Sequence, residues 1–151
     1  MYKYSVARTE LEKREILPLL QTVYNNRGYF SDSGYEEAFG KYLLLPDTRV
    51  FTAYVKDKLF GTLSVVNDSP VGIPMDVLNK LELESLRLEG KKIAEVSQYA
   101  IDHEVLTNED KSYKPMKQYL SSLPFLSLVL HYALHAELDY LSIANTPIHP
   151  I

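Results

Sequence analysis

The sequence predicts a single α/β domain, a mixed central sheet with helices packed on it. Three observations carry this. Runs rich in β-branched and aromatic residues alternate with stretches of helical apolar spacing. Their order, β-α-(α)-β-β-α-β-α-β, interleaves the two kinds of element as layered α/β domains do. No linker, internal repeat or low-complexity segment divides the 151 residues, a length that suits one domain with a hydrophobic core.

Each element has its own local signal. Tyr2–Arg8 reads as a short first strand. Thr9 and Glu12 follow with the spacing of a capping box, and Ile16, Leu19, Leu20 and Val23 continue at helical spacing. Pro18 should kink that helix or restart it, because its ring lacks an N–H and crowds the preceding turn. Asn25 to Gly34 is a polar loop, and Tyr35 to Thr48 holds a short helix before a turn at Pro46. Arg49–Val55 and Leu59–Val66 are strands, and the intervening Lys56–Lys58 reads as a hairpin turn. Asn67 to Pro74 is rich in turn formers. Met75 to Gly90 reads as an amphipathic helix with Val77, Leu81 and Leu88 along one face and Gly90 ending it. Ile93 to Ile101 is the next strand, and Asp102 to Lys114 reads as a polar loop. Pro115 to Glu137 is helical and apolar nearly all round, which predicts deep packing, with Pro124 marking a fresh first turn. Leu138 to His149 is a last strand running into a turn.

Composition removes several function classes. No run of about 18 apolar residues is present, so no membrane span is expected. The N-terminus lacks the apolar core of a signal peptide. With no cysteine there is no disulfide framework, thiolate zinc site or cysteine nucleophile. These features fit the cytoplasm. A net charge of −4 gives no general attraction to nucleic acid. His131 and His135 are four apart, but the residues between them lack the glutamate of a His-Glu-x-x-His zinc helix, and with His103 they make no convincing metal set. Asp47 and Asp68 read as turn formers.

One residue resists a purely structural reading. Lys91 to Asp102, KKIAEVSQYAID, has the apolar content of a buried strand, yet Glu95 and Gln98 stand inside it. An unpaired buried carboxylate costs at least several kcal/mol, so a strand keeps one only if something binds or protonates it.

Four segments carry a family resemblance. GTLSVVNDSPVGIPMD (Gly61 to Asp76) resembles the hairpin strand and loop of N-acyl amino acid synthases of the FeeM type. AEVSQYAID resembles their Glu-x-Ser/Thr-Arg-aromatic-x-Val/Ile strand, which acyl-homoserine-lactone (autoinducer) synthases share. IANTPIH (Ile143 to His149) resembles the turn after the fifth strand, and VYNNRGYF the arginine- and aromatic-containing first helix and loop. The resemblance spans nearly the whole chain and implies the GNAT-like acyltransferase fold. Three departures stand out: Gln98 replaces the usual arginine, Thr146 replaces the usual asparagine, and the sequence stops just after His149, where that fold continues with a helix and two more strands. The expectation is a single domain, residues 1–151, incomplete at its C-terminus or completed by a partner chain.

The implied activity is transfer of a fatty acyl group from acyl carrier protein (phosphopantetheine) or acyl-CoA to the amine of an amino acid. The amine attacks the thioester directly, with no permanently bound cofactor and no metal. By resemblance, Glu95 orients or deprotonates the attacking amine. Ser97 and the backbone of Val96, Gln98, Tyr99 and Ala100 meet the pantetheine and thioester. Arg27, Tyr29, Phe30 and His149 bind the acceptor. Ser97 lacks a glycine-flanked elbow, against a serine hydrolase. No glycine follows Gly90, and the segment after the Glu95 strand is acidic, so the glycine loop with which acetyltransferases of this fold hold the pyrophosphate of coenzyme A is missing. That favours acyl carrier protein as donor. The rivals are an autoinducer synthase, disfavoured by the lack of tryptophan, and a non-catalytic acyl- or partner-binding module. An open sheet edge would also pair with a second copy in a homo-oligomer.

Overall fold

The computed structural model describes residues 1–28, 40–114 and 118–143. The elements are β1 (Tyr2–Ala7), α1 (Glu10–Arg14), α2 (Leu17–Asn26), α3 (Lys41–Leu43), β2 (Arg49–Val55), β3 (Lys58–Asn67), α4 (Asp76–Leu88), β4 (Ile93–Ile101), α5 (His103–Glu109), α6 (Gln118–His135) and β5 (Tyr140–Ile143). The sheet order is β1-β2-β3-β4-β5; the first three pairings are antiparallel and β4–β5 is parallel. This is the predicted α/β class.

Strand alternation divides the core between two faces. Phe51, Val65, Ala94 and Val96 pack with Leu106 of α5 and with Phe125 and Val129 of α6. On the opposite face, Ala7, Val50 and Ala100 meet Ile16, Leu19, Leu20 and Val23 of the N-terminal helices, and Val66 and Ile93 meet Ile73 and Leu83. The sheet is therefore sandwiched between α1–α4 on one side and α5–α6 on the other.

Several local signals act as expected. Thr9 and Glu12 form a complete capping box on α1. Pro18 restarts the helix: α1 ends, Ile16 turns, and α2 begins with the proline in its first turn. Lys56 and Asp57 both adopt positive φ, 47° and 64°, which gives the two-residue hairpin the twist its strands need.

Four expectations are corrected. Residues 103–109 form helix α5 rather than a loop; Asp102 caps it by accepting from the Glu104 and Val105 N–H groups at 2.9 and 3.0 Å. Seven residues with one fully buried apolar side chain, Leu106, are too few for periodicity to reveal. Val77, Leu81 and Leu88 face water, Leu81 at 84% exposure, while Leu83 is buried and Leu86 packs beside it. The helix carries a second apolar row, Leu83 and Leu86, and packing buries that row, so counting the stripe of Val77, Leu81 and Leu88 picks the wrong face. Pro124 lies inside α6 rather than at a new start. Finally, α6 is packed on one side only: Phe125 and Val129 are buried, whereas Leu120, Leu123, Leu130 and Leu134 are exposed among the described residues. A helix apolar all round shows no face preference in its sequence, so packing has to choose one.

Candidate active site

The candidate site is built on β4. Ile93, Glu95 and Ser97 alternate onto the face covered by α2–α4. Glu95 is 1% exposed, stands opposite Val66 of β3 and Ser142 of β5, and adjoins the apolar group of Val66, Ile73, Leu83 and Ile93. Its Oε2 accepts from the Met75 N–H at 2.6 Å, just before α4 begins. Burial pushes its pKa up from the usual 4.5 to about 7; the nearby Asp76 charge adds to the rise, and the Met75 hydrogen bond opposes it. With that pKa the carboxyl is present in both protonated and ionised forms near neutral pH, where a glutamate at the usual 4.5 is almost wholly ionised.

Beyond Glu95 the strand changes character. Opposite β3, Ser97 pairs with Ser64 and Ala100 with Thr62, so β4 carries one extra residue in this interval. Gln98 absorbs it with φ 53°, a left-handed conformation that L-residues adopt at a cost of about 1 kcal/mol or more. Described pairing with β5 ends at Val96. The interval Ser97 to Ala100 is thus a bulge against β3, beyond the part of the β4–β5 ladder formed by the described residues. Tyr99 fixes it from outside: its carbonyl accepts from the Tyr24 hydroxyl of α2 at 3.1 Å, its own hydroxyl shares a 2.5 Å hydrogen bond with Ser122 of α6, and its ring stands edge-on to Phe125.

Arg27 is exposed at the end of α2, and its charge, after burial, helps hold the His103 imidazole below its usual pKa. His103, the first residue of α5, hydrogen-bonds Tyr113 at 2.6 Å and stacks on it. Arg27 is thereby placed near the end of β4. The structure brings Glu95, Val96, Ser97, Gln98, Tyr99 and Ala100 together on one strand, with Val96 facing α6 and Ala100 packed against the N-terminal helices. Tyr29, Phe30, Thr146 and His149 lie outside the described residues. A cavity of about 360 Å³ at Met1, Tyr2, Val55, Lys56 and Glu109 to Ser112 has no β4 residue in its lining.

Sequence reasoning missed the clamp beside Glu95. Asp68, read as a turn former, accepts from Arg87 Nε and Nη2 at 2.8 and 2.7 Å; Asp76 accepts from Arg87 Nη1 and Nη2, both at 2.7 Å. Asp76 Oδ2 also accepts from the Ile73 N–H at 2.7 Å. An arginine's planar fork can serve two carboxylates, but nothing in the spacing of Asp68, Asp76 and Arg87 reveals that it does. Within this loop Gly72 sits at φ +76°, and a Cβ there would collide with the Asp76 carboxylate. Gly72→Ala is expected to destabilise the fold by about 2 kcal/mol in denaturant unfolding; an unchanged midpoint would contradict this account of the loop.

The fold and this strand define the class of protein. The structure matches a ribosomal-protein-alanine N-acetyltransferase from Brucella melitensis biovar Abortus 2308 (TM-score 0.58, 11% identity, covering 98% of this chain and 82% of that one). It also matches a predicted acetyltransferase, solved with acetyl-CoA, from Clostridium acetobutylicum (TM-score 0.59, 8% identity, covering 98% and 83%). At those identities the likeness is one of fold, the GNAT acyltransferase fold. The solved structure of FeeM, an N-acyl amino acid synthase from uncultured soil microbes, agrees with a TM-score of 0.82 at 32% identity, covering 99% of this chain and 73% of that one. Comparison with curated proteins returns no match. The protein is an N-acyltransferase of the GNAT fold. The family model described as N-acyl amino acid synthase FeeM matches residues 15–149, and the chain belongs to that family. Among the described residues no helix is long and apolar enough to cross a membrane.

Proposed function

We propose that this enzyme transfers a fatty acyl group from the phosphopantetheine thioester of acyl carrier protein to the amine of an amino acid, with Glu95 as general base. The observation that carries the reading is the buried carboxyl of Glu95, with its pKa at about 7, two positions before the bulge in β4. An amino acid's ammonium must lose a proton before its nitrogen can attack. Glu95 takes that proton, directly or through a water molecule. The amine nitrogen then bonds to the thioester carbon and the carbonyl becomes an oxyanion, held by backbone N–H groups of the interval Ser97 to Ala100. Collapse re-forms the carbonyl and breaks the C–S bond; the thiolate leaves and takes a proton, and the amide nitrogen gives up its second one. Arg27, with its planar fork, suits the acceptor's carboxylate.

The choice of donor rests on α5. A helix N-terminus after β4 attracts anions only if its amides are free. Here the Asp102 carboxylate occupies the amides of Glu104 and Val105, and Glu104 adds a further negative charge in the first turn. That arrangement repels a pyrophosphate and favours a donor that presents mainly a pantetheine arm.

The test mixes the protein with long-chain acyl carrier protein or acyl-CoA and a pool of amino acids, following free thiol and product mass together. The expected result is amino-acid-dependent thiol release, an N-acyl amino acid mass, and lower kcat/KM with acyl-CoA. Because the folded carboxyl becomes basic only above its raised pKa, kcat/KM should climb as pH rises through about 7. Thiol release indifferent to the amino acid, or a lactone product, would overturn the reading.

A further inference from the structure

Three groups converge on the loop between β3 and α4. Asp68 stands at its start, Asp76 at its end, and Arg87 reaches both from the last turn of α4. The loop between them turns at Gly72, whose N–H donates to the Ser69 carbonyl at 2.8 Å, and closes with the Ile73 N–H on Asp76. Met75 lies between these fixed points, and its N–H is the hydrogen-bond donor to Glu95. The clamp is half-buried, and Arg87 meets each carboxylate with two hydrogen bonds, a geometry that fixes the position of both. Helix α4 fully buries one side chain, Leu83, so its apolar contacts do little to fix the placement of its first turn.

We propose that Arg87 is a positioning residue for the active-site carboxylate: by gripping Asp68 and Asp76 together, its guanidinium fork holds the Met75 N–H against Glu95. This rests on the reading of Glu95 as the base. The groups around Glu95 can be named from each side. Asp76 faces it from the first turn of α4, with Arg87 behind it, and Asp68 completes the clamp from the loop. Asn67 flanks its register partner on β3, Ser142 is its partner on β5, and Tyr42 of α3 packs in the adjoining apolar group. Arg87 also neutralises much of the Asp76 charge. Its loss therefore acts twice in one direction: it frees the Met75 amide and unmasks a like charge, and both raise the Glu95 pKa.

The decisive comparison is Arg87→Lys with Arg87→Met. Lysine keeps the charge but cannot span two carboxylates as a fork. Two readouts are taken on each: the Glu95 carboxyl midpoint by carbon NMR titration, and the pH profile of kcat/KM with acyl carrier protein as donor. Arg87→Met is expected to raise the midpoint by about one pH unit, and Arg87→Lys by less, because lysine still offsets the Asp76 charge. Activity of Arg87→Met should fall roughly fivefold at pH 7, that of Arg87→Lys by less, and both should recover at alkaline pH, because only the proton equilibrium has moved. Thermal melts identify variants that are merely unfolded; if Arg87→Met fails to fold, Arg87→Lys carries the test alone. A wild-type midpoint in Arg87→Lys would overturn the positioning role, as would an activity loss that persists at every pH. The two readings fail separately. If Glu95→Gln retains the neutral limb of the activity profile, the base assignment falls, while the NMR midpoint still reports on the clamp.

Discussion

Glu95→Gln is expected to reduce acyl transfer by about 10²- to 10⁴-fold while making the folded protein more stable above neutral pH. The two effects share one cause. The strand holds a carboxyl in an apolar setting where its charged form is disfavoured, and its pKa rises from 4.5 to about 7. A raised carboxyl binds its proton more tightly in the folded chain than in the unfolded one. Its favourable contribution is therefore complete below about pH 4.5 and is lost as pH climbs to about 7. Above that, the buried charge costs up to about 3 kcal/mol. Glutamine has nearly the same shape, can accept from the Met75 N–H, and carries no charge at any pH. Denaturant unfolding at pH 5 and pH 8 should thus show a wild-type stability that declines between the two and a mutant stability that declines less. Unchanged turnover would remove Glu95 from the mechanism; equal pH dependence in the two proteins would remove the burial argument.

Phe125→Ala should destabilise the fold by about 4 kcal/mol. Phe125 is completely buried beneath the sheet, with Tyr4 edge-on at 5.6 Å and Tyr99 at 6.3 Å between ring centres. Gly61 permits this approach: a Cβ there would stand 3.2 Å from the Phe125 ring and 2.7 Å from Ile101 Cδ1. Such a loss is a large part of an ordinary domain's total stability. The cavity would open under Tyr99, which steadies the β4 bulge, so activity should fall along with stability. Phe125→Leu, which keeps most of the volume, should cost about 1 kcal/mol. Calorimetry or urea unfolding reads both, and a cost below about 1 kcal/mol for the alanine variant would mean that the site collapses around the gap.

Legibility in the sequence followed the range of each interaction. The capping box, the proline restart, the hairpin and the Glu95 strand are set by residues close together in the chain, and all were readable there. Helix α5 was hidden by its shortness, although Asp102 two and three residues before Glu104 and Val105 is a capping signal in retrospect. The exposed stripe of α4 misleads because the helix has a second apolar row, Leu83 and Leu86, and spacing alone does not say which row meets the core. Glu95 was identifiable as an anomaly, a carboxylate in an apolar strand, but its hydrogen-bond partner was not. Met75 contributes a backbone N–H, and side-chain identity says nothing about where a main-chain amide points.

By itself the sequence determined the fold class, the strand of the candidate site and the residue on which the chemistry is proposed to turn, because periodicity, turn residues and a misplaced charge are all properties of composition along the chain. The tertiary structure alone decided the rest. It placed the bulge at Gln98, the Arg87 grip on Asp68 and Asp76, the capped start of α5, and the face of α6 that meets the sheet. Each of these depends on groups far apart in sequence whose contact is settled only when strands and helices pack: a carboxylate's pKa follows from what surrounds it, and surroundings are a property of the folded chain.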